Sequence, residues 1–140
     1  MAITRLDHYS IRTTDLAATE RFYTDVLGLE VGPRPTFPFP GVWLYQSGVA
    51  VVHVVGIDPN DASGLKDYLG DKAADATGTG TIDHVAFIGN DVEAMRAKFR
   101  AAGVTFRDRT VPALKLEQVF LEDPNGVTIE LNFPGEAPLP

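Results

Sequence analysis

The chain holds three histidines, His8, His53 and His84, and no cysteine. Thiol nucleophiles, disulfides and cysteine-bound zinc are therefore excluded. A single histidine among apolar strand residues is usually a hydrogen-bonded packing residue. Here two of the three occupy equivalent positions of an internal repeat. Leu6-Asp7-His8-Tyr9-Ser10-Ile11 matches Ile82-Asp83-His84-Val85-Ala86-Phe87, 76 residues later. If two copies of one unit pair about a pseudo-two-fold, their first strands meet and both imidazoles point into one cleft.

Glu130 is the natural third member. Between Val127 and Phe133, Ile129, Leu131 and Phe133 alternate with Thr128, Glu130 and Asn132. One side of that strand is core and the other is a polar stripe. Two neutral imidazoles and one carboxylate make a three-ligand face with open coordination positions, suited to Fe(II), Mn(II) or Zn(II). His53 lies 77 residues before Glu130 and is its repeat counterpart. It is either a fourth ligand or an acid–base group beside the metal.

The elements that must position these residues also repeat. Each hexad reads as a strand, followed by a polar turn and a helical pattern. The first helix is expected from Thr14 or Asp15 to Leu27, closed by Gly28 in a left-handed cap. The second is expected after Asn90, with Glu93 as capping-box partner and Gly103 at its end. Three strand-like runs follow each helix: near 29–31, 42–46 and 49–55, then near 104–107, 117–121 and 127–133. Ser47-Gly48 and Asp123-Pro124-Asn125-Gly126 are turn signals between the last two runs of each half. Each half thus reads βαβββ. The expected α+β fold is two such modules, eight strands around an open, cup-shaped barrel with the helices outside. One module cannot close a cup, so two must pair, within a chain or across chains.

Two segments break the symmetry. Pro33 to Gly41 holds four prolines and cannot be regular structure. The polar stretch 58–81 joins the halves, with a short helix expected around 63–74. The organisation is one domain over 1–140: module one at 3–56, a linker at 57–81, module two at 82–133, and a Pro-rich, fraying tail from Pro134. Aromatic residues gather where a pocket should be: Phe37, Phe39, Trp43, Tyr45 and Phe120. Of these Phe37, Phe39, Trp43 and Phe120, with Asn132, are taken as substrate contacts.

Composition bounds the partners. A 140-residue chain with 44% hydrophobic and 22% charged residues builds a real core. Twelve basic against 19 acidic residues give a net charge of −7, which disfavours nucleic acid and anionic membranes as partners. No apolar run is long enough to span a bilayer or form a signal peptide, so a cytoplasmic protein is expected.

The paired βαβββ pattern, the two Asp-His strands and the closing run EDPNGVTIEL (Glu122 to Leu131) resemble the vicinal oxygen chelate superfamily. That group includes glyoxalase I, bleomycin-resistance and fosfomycin-resistance proteins, methylmalonyl-CoA epimerase and type I extradiol dioxygenases. The resemblance spans Ile3 to Phe133 and implies a glyoxalase/dihydroxybiphenyl-dioxygenase-like fold. It matches His8, His84 and Glu130 to the metal ligands, and it implies a divalent ion, Fe(II) first, with Mn(II), Zn(II) or Ni(II) as alternatives. Glyoxalase I carries a glutamate at the place of His53, whereas extradiol dioxygenases carry there a non-ligand histidine that handles protons. Those dioxygenases also place a tyrosine ten residues before the glutamate ligand, where this chain has Phe120. The resemblance thus implies an extradiol-dioxygenase-like enzyme acting on a small catechol-like substrate, with His53 catalytic. The alternatives are glyoxalase I-like proton transfer and a metal-free, bleomycin-resistance-type binder. A homodimer is expected.

Overall fold

The structure is a computed structural model that describes residues 5–58, 60, 64–66, 78–79 and 82–135. The chain divides into two compact units, Met1–Thr77 and Gly78–Pro140, and each holds one βαβββ module.

In the first module β1 (Tyr9–Thr13) is followed by helix α1 (Leu16–Arg21), then β2 (Glu30–Gly32), β3 (Gly41–Gln46) and β4 (Val49–Gly56). The sheet order is β1-β4-β3-β2, with β1 parallel to β4 and the other pairs antiparallel. The second module repeats this as β5 (His84–Ile88), α2 (Val92–Ala101), β6 (Phe106–Val111), β7 (Leu116–Glu122) and β8 (Thr128–Pro134). Its order, β5-β8-β7-β6, has the same directions. Both sheets are open, with the parallel pair formed by the first and last strands of the module.

Strand alternation decides which face is core. In β8, Ile129, Leu131 and Phe133 are buried, as read from the sequence, and burying each fully is worth about 1.5–3 kcal/mol. Phe99 of α2 meets Phe106 edge-on at 5.6 Å, so α2 covers that face. In the first module Tyr9, Ile11 and Thr13 share a face with Val52 and Val54. The Tyr23 hydroxyl lies 3.3 Å from that of Tyr9, and the Thr19 hydroxyl donates to that of Thr13. Helix α1 therefore covers this face.

Several boundaries differ from the sequence reading. Strands β1 and β5 start at Tyr9 and His84, where β4 and β8 offer a parallel partner. His8 thus precedes its strand by one residue, and Leu6 and Ile82 are exposed. Asp15 caps α1 by accepting from the Ala18 N–H. Past Arg21 the helix widens over Phe22–Val26, where the Leu27 N–H donates to the Phe22 carbonyl five residues back. The wider turn buries the consecutive aromatics Phe22 and Tyr23. Gly28 and Gly103 take left-handed φ of 80° and 70° after their helices.

The capping box at α2 does not form. Asp91, at φ 55°, is the cap and accepts from the Ala94 N–H, while Glu93 pairs with Arg96 one turn on. Strand β6 starts two residues later than expected and runs through the polar stretch Arg107 to Thr110. Cross-strand partners, not apolar burial, hold this edge strand. Pro134 belongs to β8 rather than to the tail. Of the expected connector helix, residues 64–66 are helical and the rest lies outside the described residues, as do 136–140. Among the described residues no helix is long and apolar enough to cross a membrane.

Candidate metal centre

The face of the second sheet away from α2 carries His84, Thr128, Glu130, Asn132, Gln118, Phe120, Arg107 and Arg109, all fixed there by register. The Nε2 atom of His84 stands 3.8 Å from Oε2 of Glu130, whose side chain is 15% exposed. The Nδ1 atom of His84 is engaged by the Asp83 carboxylate at 2.7 Å, which raises the imidazole pKa above its ordinary value. The carboxylate orients the ring and leaves Nε2 directed toward Glu130.

Both oxygens of Glu130 are held. The Gln118 amide donates to Oε1 at 3.2 Å and to Oδ1 of Asn132 at 2.9 Å, and the Asn132 amide donates to Oε2 at 3.0 Å. Asn132, expected to touch substrate, commits its amide to Glu130. Phe120 lies directly across from Glu130 in the ladder, and the guanidinium of Arg107 sits 4.4 Å from its ring centre. Arg109 donates to Gln118.

In the first module the Asp7 carboxylate engages Nδ1 of His8 at 2.6 Å, the counterpart of Asp83 on His84. The hydrogen bond from His8 holds the Asp7 carboxyl below its usual pKa. The ring of His8 stacks on His53 at 3.6 Å, and the other face of His53 stacks on Trp43 at 3.8 Å. His53 lies on the sheet face away from α1, since its register partners are Ser10 and Trp43. It is 8% exposed. Burial, followed by the proximity of His8, pulls its pKa below the ordinary value, against a hydrogen bond with the Ala50 backbone.

The proline-rich loop divides its two phenylalanines. Phe39 is buried with Val55 and Leu65, and Phe37 packs half-buried against that cluster. Tyr45 hydrogen-bonds the Pro33 carbonyl at 2.5 Å.

Among the described residues no three His, Asp or Glu side chains gather into one cluster. The second module nevertheless brings together two of the expected ligands. Donors on one ion, each about 2.1 Å from it, lie no more than ~4.2 Å apart, so 3.8 Å fits a shared ion. The donor chemistry also fits, with one imidazole nitrogen and one carboxylate, each oriented by its own partners. Sequence reasoning missed Asp7, Asp83 and Gln118. The first two had a visible signal, the aspartate repeated before each histidine. Gln118 had none beyond its alternation with Phe120.

Residues 5–131 match the model of the Glyoxalase/Bleomycin resistance protein/Dioxygenase superfamily, and the chain belongs to that family. A Bacillus subtilis protein, the uncharacterized YwbC, is 24% identical over 128 residues, 90% of this chain and 94% of its own. Among solved structures, the antibiotic-binding protein TnmS3 of Streptomyces sp. CB03234 superposes with a TM-score of 0.67 at 20% identity, covering 96% of this chain and 98% of its own. The fosfomycin resistance protein FosX of Listeria monocytogenes gives 0.66 at 17%, covering 94% and 93%. Lactoylglutathione lyase of Agrobacterium tumefaciens gives 0.62 at 16%, covering 95% and 96%. These likenesses show the fold, that of the glyoxalase family.

Proposed function

We propose that the protein is a divalent-metal-dependent enzyme of the vicinal oxygen chelate kind, acting on a small catechol-like substrate in an extradiol-dioxygenase-like reaction. His8, His84 and Glu130 are its ligands, and Fe(II) is the first choice of metal. The observation that carries this is the pair of Asp–His units at equivalent repeat positions. Each commits Nδ1 to a carboxylate, and Nε2 of His84 stands 3.8 Å from Oε2 of Glu130. Held by these residues, a divalent ion would supply Lewis acidity to a substrate bearing two neighbouring oxygens.

The chain's own residues do the rest. Gln118 and Asn132 hold the Glu130 carboxylate in one orientation. His53, disfavoured as a cation by burial, accepts a substrate proton at the ring nitrogen not engaged with Ala50 and later returns it. Trp43 and His8 on its two faces fix the ring plane. Phe120 presents an apolar edge across from Glu130, with no hydroxyl to orient substrate.

A second reading is a binding protein that sequesters a small molecule without turnover. The absence of that hydroxyl favours it, as does the likeness to an antibiotic-binding protein. Metal analysis of anaerobically purified protein, followed by oxygen uptake with a panel of catechols, separates these. Stoichiometric metal with uptake supports the proposal. Metal with no uptake moves the reading to glyoxalase-like proton transfer, and protein that takes up no metal is left with the binding role.

A further inference from the structure

Arg34, in the loop between β2 and β3, rests its guanidinium on two aromatic rings. One terminal nitrogen donates to the Phe39 carbonyl at 3.0 Å. Its guanidinium carbon lies 4.9 Å from the centre of the Phe37 ring and 5.4 Å from that of Phe39, and those rings stack on each other. It presses on Gly41: a Cβ there would stand 2.8 Å from one terminal nitrogen and 3.0 Å from Nε. The same Cβ would stand 2.5 Å from the Val54 carbonyl, so the backbone already requires glycine at 41, and its bareness also leaves room for the guanidinium.

The seat has a direction. Gly41 pairs with Val55 and Trp43 pairs with His53. Residues 41 and 43 share a face, because side chains alternate along a strand. Arg34 is therefore packed on the sheet face that carries His53, one strand repeat from the His53–Trp43 pair. Among the described residues no carboxylate pairs with it, whereas Arg96 meets three. Burial lowers the pKa of Arg34 from its ordinary value. A guanidinium has five N–H donors in a fixed fork, and one is spent on Phe39.

We infer that Arg34 is a carboxylate receptor, its planar fork binding the carboxylate of a small aromatic acid placed against the His53–Trp43 face. The anion site stands without the metal. Identifying its occupant as the substrate rests on the proposed function, and it makes that substrate an anionic catechol rather than a neutral one.

The test titrates benzoate, and benzamide as its uncharged isostere, into metal-free protein. Binding is followed by the fluorescence of Trp43, the chain's one tryptophan, and independently by amide chemical shifts. Benzoate is expected to bind tenfold or more tighter than benzamide. Arg34→Gln should erase that preference, and Arg34→Lys, a point charge without the fork, should keep only part of it. Equal binding of the two probes, or no benzoate binding at millimolar concentration, overturns the inference. So does a preference that survives intact in Arg34→Gln. If Arg34→Gln loses its native circular dichroism, Arg34→Lys decides, and unchanged benzoate affinity there counts against the fork. Metal-free protein keeps this outcome separate from the metal analysis, which alone judges the proposed enzyme.

Discussion

Removing the Asp83 carboxylate separates a metal centre from a surface ion pair. Asp83 is 92% exposed and touches Nδ1 of His84 at 2.7 Å. Its replacement by alanine should change folding stability by no more than about 0.5 kcal/mol, the usual range for a surface substitution. If the pair is only an exposed ion pair, nothing further follows, because solvent screens such pairs almost completely. If it orients a ligand, the expected loss is about 10- to 100-fold in metal affinity, or roughly 1.4–2.7 kcal/mol at 1.36 kcal/mol per decade. Asp83→Asn keeps an acceptor for the Nδ1 proton and should recover part of that loss. Zn(II) affinity is measured by competition with a chromophoric chelator, alongside thermal melts of the metal-free proteins. A wild type and an Asp83→Ala variant that bind Zn(II) within twofold of each other, with equal melts, would refute the assignment of His84 as an oriented ligand. The same comparison at Asp7→Ala tests His8, since the geometry repeats there.

Glu130→Gln should abolish stoichiometric metal binding while leaving the circular dichroism native; retained metal by elemental analysis removes Glu130 from the ligand set. His53→Ala should keep the metal and lose about 10²-fold or more in turnover; loss of the metal instead makes His53 a ligand. Arg96→Ala strands the Glu117 carboxylate, whose side chain is 9% exposed and which also accepts from Thr110. Breaking a buried pair in this way costs about 3–5 kcal/mol. The thermal midpoint should fall by roughly 10 °C or more, and a shift under 2 °C would show that Arg96 carries no structural charge.

The repeat at His8 and His84, the alternation around Glu130 and the turn residues were enough to read two βαβββ modules from the chain. They sufficed because strand and helix periods are local properties of the chain and do not depend on distant partners. The core face of β8 followed for the same reason. What a residue's neighbour in the sheet would be did not follow. Strand β6 runs on through Thr110 because Arg96, Gln118 and Glu117 reach Asp108, Arg109 and Thr110 from α2 and β7, and no local pattern encodes those pairs. His53 was legible as the counterpart of Glu130, but its burial between Trp43 and His8 was not, since that depends on the register of β3 against β4 and on where β1 starts. The orienting roles of Asp83 and Gln118 belong to the same class. A ligand's type is written in the sequence, while the groups that hold its ring or carboxylate in place are chosen by which strands become neighbours.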